Sequence, residues 1–164
     1  MLRRTPLKRG APLKQGKPLL RRTALAVTAK RRPGRRSTGP AADVVAAVLA
    51  RDGHACVRCG RQVSGERGRD WSVHHRRPRR MGGDRRPDTN LPSNLVVLCG
   101  DGSRLCHFWA ESHRAEAERL GWLLPADAVP SQMPMVHAGA GRVVWLTDDG
   151  RLEYGPPPIA GGER

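Results

Sequence analysis

Four cysteines in a chain with little else from which to build a core set the terms of its folding. They fall into two pairs, Cys56-Val-Arg-Cys59-Gly60 and Cys99 with Cys106. Two residues between the first pair, followed by a glycine, form a tight knuckle in which both thiolates can meet one tetrahedral ion. The second pair encloses Gly-Asp-Gly-Ser-Arg-Leu, and Gly100 and Gly102 would let that longer loop fold back. The chain has 164 residues, of which only 4% are aromatic, with 19 glycines and 14 prolines. Its apolar core is therefore small, and small cores want a staple. In a compartment that keeps thiols reduced, four thiolates around a structural Zn²⁺ are favoured over two disulfides. The bland alternative is two pairs of buried thiols with no metal.

The formal charge of +15 and an isoelectric point near 11.4 point to a polyanionic partner, either nucleic acid or an anionic membrane. No apolar run approaches the eighteen or so residues of a membrane span. The N-terminus is basic but lacks the apolar core of a signal peptide. The expectation is an intracellular, cytoplasmic protein with no membrane partner. From Met1 to Thr38 there is no acidic residue, and three hexads recur: Thr5-Pro-Leu-Lys-Arg-Gly10, Ala11-Pro-Leu-Lys-Gln-Gly16 and Lys17-Pro-Leu-Leu-Arg-Arg22. A proline in each prevents a continuous helix, and so few apolar groups cannot offset the entropy of ordering. Residues 1–38 read as a disordered basic arm that attaches to phosphates by counterion release. A merely solubilising tail is the alternative.

The ordered part begins with a helix over Ala41–Asp52. Pro40 opens it, with proline in the first turn, Asp43 lies near its positive end, Gly53 at its stop, and Val44, Val45, Val48 and Leu49 along one stripe. The run Asn94-Leu-Val-Val-Leu-Cys99 suits a strand or a single turn. Leu105 to Leu120 reads as one helix closed by Gly121. Val143 to Tyr154 patterns as a hairpin turning at Asp149-Gly150. The expected architecture is small α+β in three parts: the arm (1–38), a central domain (39–124), and a C-terminal extension (125–164) with a hairpin over 142–154 and a loose tail.

The chemistry concentrates at Trp71-Ser-Val-His74-His75-Arg-Arg-Pro and at Cys106-His107. Neighbouring side chains of an extended segment point to opposite faces, so one imidazole can face a metal while the other faces a water, provided the backbone twists both into one cleft. Cys106 precedes His107 directly, so an ion on the cysteine would also set the position of the imidazole.

The ordered set from His74-His75 through Gly82-Gly83, Asn94-Leu-Val-Val-Leu-Cys99 and Cys106-His107 resembles the zinc-stapled HNH endonucleases, whose letters fall on His75, Asn94 and His107. More narrowly, His74-His-Arg-Arg-Pro, Arg80-Met-Gly-Gly, Arg86-Pro-Asp-Thr-Asn90 and Cys106-His-Phe-Trp-Ala-Glu-Ser-His113 look like the small HNH proteins of phages infecting actinobacteria. The likeness covers about residues 40 to 125. It implies a ββα-metal finger around one catalytic divalent ion (Mg²⁺, Mn²⁺ or Ni²⁺), with His75 as general base and His74 and His107 as ligands. Asn94 would either pin the loop that orients His75 or ligate the ion. The implied activity is hydrolysis of DNA phosphodiesters to 5′-phosphate and 3′-hydroxyl ends. The implied setting is a bacterial host cytoplasm beside a phage terminase during genome packaging.

Helix geometry adds Glu111, four positions beyond His107 and on the same face, as either a further ligand or a solvated helix charge. His113 falls on another face and reads as structural or exposed. His54 and His137 have no motif around them. Arg76, Arg77, Arg79, Arg80, Arg85 and Arg86 are expected to border the cleft and hold phosphates. Two other functions use part of this pattern. A noncatalytic zinc-containing DNA-binding module accounts for the thiols and the charge but not for His74, His75, Asn94 and His107 together. A toxin that cuts RNA keeps the chemistry and changes the substrate.

Overall fold

The computed structural model describes residues 38–79, 84 and 86–155. The basic arm up to residue 37, Arg80, Gly82, Gly83, Arg85 and the tail beyond 155 lie outside the described residues. What is described is a small mixed α+β structure. Its first helix, α1 (Ala42–Arg51), has Asp43 in its first turn and Arg51 in its last. It buries Val45 and Val48, with Val44 and Leu49 half-buried beside them.

Strands β1 (Trp71–His75) and β2 (Leu95–Cys99) pair antiparallel, with His74 opposite Val96 and His75 opposite Leu95. A short 3₁₀ turn over Pro92–Asn94 leads into β2. All five residues of β2 are buried, because apolar layers cover both of its faces. Leu95 and Val97 pack with Val45, Val48 and Trp71, whereas Val96 and Leu98 pack with Cys56, Val57, Ala110, Trp122 and Leu123. An apolar run without alternation is the sequence mark of a strand covered on both sides.

The helix expected over 105–120 divides into α2 (Leu105–Ser112) and α3 (Arg114–Arg119). The backbone leaves helical angles at His113, with φ −114° and ψ 54°. The His113 ring lies flat on Trp109 at 4.8 Å, and its amide donates to the Trp109 carbonyl at 2.9 Å.

The chain beyond residue 125 is no appendage. Strands β3 (Met135–His137), β4 (Arg142–Leu146) and β5 (Leu152–Glu153) form an antiparallel sheet in chain order, with β4 and β5 turning through Asp149-Gly150. Met135, Val144 and Leu146 share one buried cluster with Cys56, Val57, Val96 and Leu98. The expected boundary at 124/125 therefore cuts through a core. Gly121, at φ +76°, is where the chain turns into this region, and a Cβ there would run into the Pro134 carbonyl and Met135.

A buried ionic cluster closes the α1 side. The Asp52 carboxylate is 2% exposed and accepts from Arg51 Nε at 2.8 Å and the Val97 amide at 2.9 Å, with His137 Nε2 at 3.5 Å. Arg51 also donates to the carbonyls of Pro92 (2.7 Å) and Leu95 (2.6 Å). Burial by itself would raise the Asp52 pKa, but contacts with His137, Arg51 and the Val97 amide outweigh it and hold the carboxyl below 3.8. A lowered folded-state pKa contributes stability that is complete above the unfolded value and is lost as pH falls through the folded value. Asp52→Asn is expected to lower stability at neutral pH by about 3 kcal/mol, since it strands a buried guanidinium. Denaturant unfolding at stepped pH should show the gap between the two proteins closing in acid, and a pH-independent gap would refute the linkage.

Candidate functional site

Two groups of side chains that could hold a metal ion meet at α2. The first is the thiol cluster, in which Cys56, Cys59, Cys99 and Cys106 bring their sulfurs within 4.8 Å of one another. These four cysteines could bind a metal such as zinc. Tetrahedral zinc with Zn–S bonds of about 2.3 Å sets sulfurs about 3.8 Å apart, and Cys59 Sγ lies 3.8 Å from Cys99 Sγ. The donor set also fits in its surroundings. Backbone amides of Cys99, Cys59 and Arg58 point at Cys56 Sγ, and that of Arg61 at Cys59 Sγ. Arg58 Nη1 donates to Cys106 Sγ at 3.3 Å, and its guanidinium lies 3.8 Å from the ring centroid of Trp109. Burial pushes the Cys106 thiol up to about 11 and raises Cys56 as well. Burial is outweighed at Cys59, where contacts with the Arg61 amide and the neighbouring thiols hold the thiol below 9.0, and a cation among the sulfurs would favour the thiolate form of the raised pair.

The loop between the paired cysteines explains its own glycine. Gly100 sits at φ +82°, where a Cβ would strike the Arg104 carbonyl and Leu105. Its amide donates to the Asp70 carbonyl at 2.8 Å, and its own carbonyl accepts from Ser72 Oγ at 2.8 Å.

The second group is His74, His107 and Glu111, whose donor atoms also lie within 4.8 Å of one another. The rings of His74 and His107 meet edge to face at 5.1 Å. His74 Nε2 lies 3.1 Å from the Trp122 carbonyl, which can only accept, so Nε2 carries the hydrogen. The lone pair is then on Nδ1, which faces Glu111 Oε1 at 3.7 Å. A carbonyl on the distal nitrogen is how proteins orient a ligating imidazole. His107 Nδ1 is buried with no hydrogen-bond partner among the described residues. Burial, with the neighbouring His107 next, pushes His74 down to about 3, and burial lowers His107 too. Both rings are accordingly neutral at physiological pH and able to ligate.

His75 is half-buried and belongs to the other face of β1, yet it lines the same cleft of about 560 Å³ as His74, His107 and Glu111. Its Nε2 is 3.1 Å from Asn90 Oδ1. Asn90 Nδ2 donates to the Thr38 carbonyl at 3.3 Å, which leaves Oδ1 to face the imidazole as acceptor. His75 therefore carries its hydrogen on Nε2 and keeps Nδ1 free as a base. Burial lowers its pKa below 6.5, against the opposing pull of Asn90.

Asn94 stands outside the ligand group. Fully buried, it accepts the Arg77 amide at 2.7 Å on Oδ1 and donates from Nδ2 to the carbonyls of Thr89 (2.9 Å) and Arg77 (3.3 Å). Its carboxamide pins the end of β1 to the loop that carries Asn90.

The arginines divide in a way the sequence pattern does not anticipate. Arg76 and Arg77, expected on phosphates, are 0% and 2% exposed. Arg76 donates to five backbone carbonyls, those of Gly121 (2.8 Å), Ser93 (3.1 Å), Pro130 (3.0 Å), Met133 (2.8 Å) and Pro134 (3.1 Å). Arg77 forms a two-pronged pair with Asp88 and donates to the Ala128 carbonyl. Arg86 is held by Asp84 and by the Ala126 carbonyl. Of the six, Arg79 alone among the described residues is exposed and lines the cleft.

Comparisons of the chain with protein-family models, with curated proteins and with solved structures found no match. Residues missed in the sequence include Asn90, Arg58 and Arg67. Asn90 lay within a quoted motif, and Arg58 within the knuckle. The folding back of residues 65–71 is what brings Arg67 to the cleft, and no local pattern announces it. Loading the reduced protein with cobalt(II) is expected to produce an intense thiolate charge-transfer band that zinc displaces at one equivalent, and Cys56→Ser should abolish both the band and cooperative melting. Arg58→Ala should keep the band, with lowered metal affinity and altered Trp109 fluorescence. A Cys56→Ser protein whose charge-transfer band and melting match those of the wild type would contradict this assignment.

Proposed function

We propose that the protein is a metal-dependent endonuclease of the HNH type that hydrolyses phosphodiester bonds of DNA. The observation that carries this reading is the meeting of His74, His107 and Glu111 within 4.8 Å, in a cleft that also admits His75 with an unprotonated nitrogen. In this reading β1, β2 and α2 make up the ββα-metal finger. The four thiols hold a structural zinc that anchors α2, and a setting beside a phage terminase follows from the sequence resemblance.

His74 Nδ1, His107 and Glu111 would hold one divalent ion, which supplies charge to polarise the scissile phosphate and stabilise the leaving oxygen. Trp122, through its carbonyl, keeps the His74 lone pair turned toward that position. His75 Nδ1 takes a proton from the attacking water, at a pKa that leaves the ring neutral at physiological pH. Oxygen bonds to phosphorus, the P–O3′ bond breaks, and the 3′ oxygen takes a proton from solvent. The products are a 5′-phosphate and a 3′-hydroxyl. Asn90 keeps Nδ1 presented by occupying Nε2, and Asn94 holds the loop that keeps Asn90 in place.

The test incubates supercoiled plasmid with zinc-loaded protein and Mg²⁺, Mn²⁺ or Ni²⁺. His75→Ala is expected to lower the cutting rate by about 10²- to 10⁴-fold with zinc content and melting unchanged. Glu111→Gln should raise the ion concentration needed for half-maximal rate. No cutting by the folded wild-type protein in any of the three ions, with DNA binding intact, would favour a noncatalytic zinc-containing binding module. Faster cutting of RNA than of DNA would move the substrate and keep the chemistry.

A further inference from the structure

The cleft beside His75 holds two guanidinium groups without a carboxylate partner among the described residues. Arg79 follows β1. Its side chain is exposed and donates to the Thr38 carbonyl at 2.6 Å and to Thr38 Oγ1 at 3.3 Å, which are neutral partners. Arg67 precedes β1 and is exposed at the same cleft. It sits in a turn that is built firmly. The Glu66 amide donates to Asp70 Oδ2 at 2.9 Å, the Asp70 amide to the Glu66 carbonyl at 2.8 Å, and the Gly68 amide to the Trp71 carbonyl at 2.7 Å. The neighbouring cations of this region are matched: Arg69 lies against Glu66 and Asp70, and Arg104 against Asp70 and Asp101. Arg67 has no carboxylate partner among the described residues. A fixed turn thus holds one unmatched cation on the cleft while its neighbours are neutralised.

We propose that Arg67, with Arg79, grips the sugar–phosphate backbone of the bound nucleic acid at the phosphates flanking the one presented to His75. The word flanking rests on the nuclease reading; the grip on phosphate does not. A guanidinium fork matches phosphate oxygens in two-pronged fashion. Backbone contact is what the lining of the cleft supports, and guanine readout by an arginine is the outcome that the duplexes of unrelated sequence below exclude. Among the described residues its polar side chains are the three imidazoles, Glu111, Thr38 and these two arginines. The nearest carboxamide, Asn90, is committed to His75 and Thr38, so the bidentate amide reader of adenine is missing there. Contacts of this kind position the strand and carry no sequence information.

The decisive measurement is binding of the full-length, zinc-loaded protein to duplex DNA across a series of salt concentrations, in a His75→Ala background so that nothing is cut. Arg67→Ala is expected to lower the slope of log K against log salt by about 0.9, the loss of one phosphate contact, and by the same amount on duplexes of unrelated sequence. Arg67→Lys should retain the slope. Arg69→Ala, whose charge is already matched, should behave as the parent. An unchanged slope in Arg67→Ala, with zinc content and melting intact, overturns the proposal. So does a loss confined to one sequence, which would make Arg67 a base reader. Absence of cutting by the wild-type protein would instead count against the nuclease reading and leave the salt slopes to be read as they stand.

Discussion

Everything near the cleft depends on where four sulfur atoms meet. They join three stretches distant in the chain: the knuckle after α1, the end of β2 and the first turn of α2. Cys99 closes one strand of the hairpin and Cys106 opens the helix, so the angle between strand and helix is set at the sulfurs. The entry to α2 costs something locally, because Leu105 takes φ 60°, a left-handed conformation that an ordinary side chain adopts at a cost of about 1–2 kcal/mol. A residue keeps such a conformation when its surroundings over-determine it. Here the following side chain is a thiol of the cluster, and the one after that is the imidazole of His107. One peptide bond then carries the constraint from the sulfurs to the cleft.

A second constraint acts from the opposite side and is entirely polar. Among the described residues Arg76 is buried without a carboxylate partner, and five carbonyl oxygens share its charge. Three of them lie on the stretch 130–134 and one on Gly121, with Ser93 the fifth. Burial pulls its pKa down to about 9, which still leaves the guanidinium charged at neutral pH. Hydrogen bonds to a charged group are worth about 1.5–3 kcal/mol each, and stranding the acceptors costs a comparable amount. The Arg76 carbonyl in turn accepts from the Leu124 amide at 2.7 Å. Residues 121–124 therefore hold β1 at Arg76 and His74 together, through the Gly121 carbonyl, the Leu124 amide and the Trp122 carbonyl. The C-terminal half of the chain is in this sense part of the site, although among the described residues no side chain beyond α2 enters the cleft.

How much of this could be read from the sequence depended on the range of the interaction. The knuckle, α1 and the pairing of His107 with Glu111 follow from spacing within a few residues, where the helix period is reliable; the apolar run 95–99 has no alternation and leaves a strand and a single turn both open until its pairing with β1 is seen. The histidine pair carried its own geometry, since adjacent positions of a strand face opposite ways. What escaped was set by contacts across the chain. Arg76 and Arg77 look like surface cations beside a motif; only the carbonyls around 121–134 and the carboxylate of Asp88 reveal them as interior struts. The extension after 125 looks separable because prolines punctuate it, whereas Met135, Val144 and Leu146 complete the core that a chain poor in aromatic residues could not otherwise fill. The break at His113 has a different, local origin: its ring stacks on Trp109, four residues before it, a contact that helix periodicity ignores.

The contrast between His74 and His75 shows how one strand gives two imidazoles different surroundings. Both begin as the same imidazole, one position apart. The inward ring meets a backbone carbonyl, an acceptor that cannot rotate away, and loses almost all solvent; its free nitrogen is Nδ1, and it stays neutral far into acid. The outward ring meets a side-chain carboxamide that is itself held by a backbone carbonyl, and it keeps an opening to the cleft. Each hydrogen-bond partner fixes which nitrogen carries the hydrogen, and burial determines how reluctantly the other accepts one. A carboxylate in place of either partner would favour the protonated ring. The interior around these rings instead offers carbonyls and amides, and the nearby carboxylates are largely spent on arginines: Asp84 on Arg86, Asp88 on Arg77. Glu111, 40% exposed and shared with Arg114 at 3.5 Å, is the carboxylate left within reach of His74, at 3.7 Å from Nδ1.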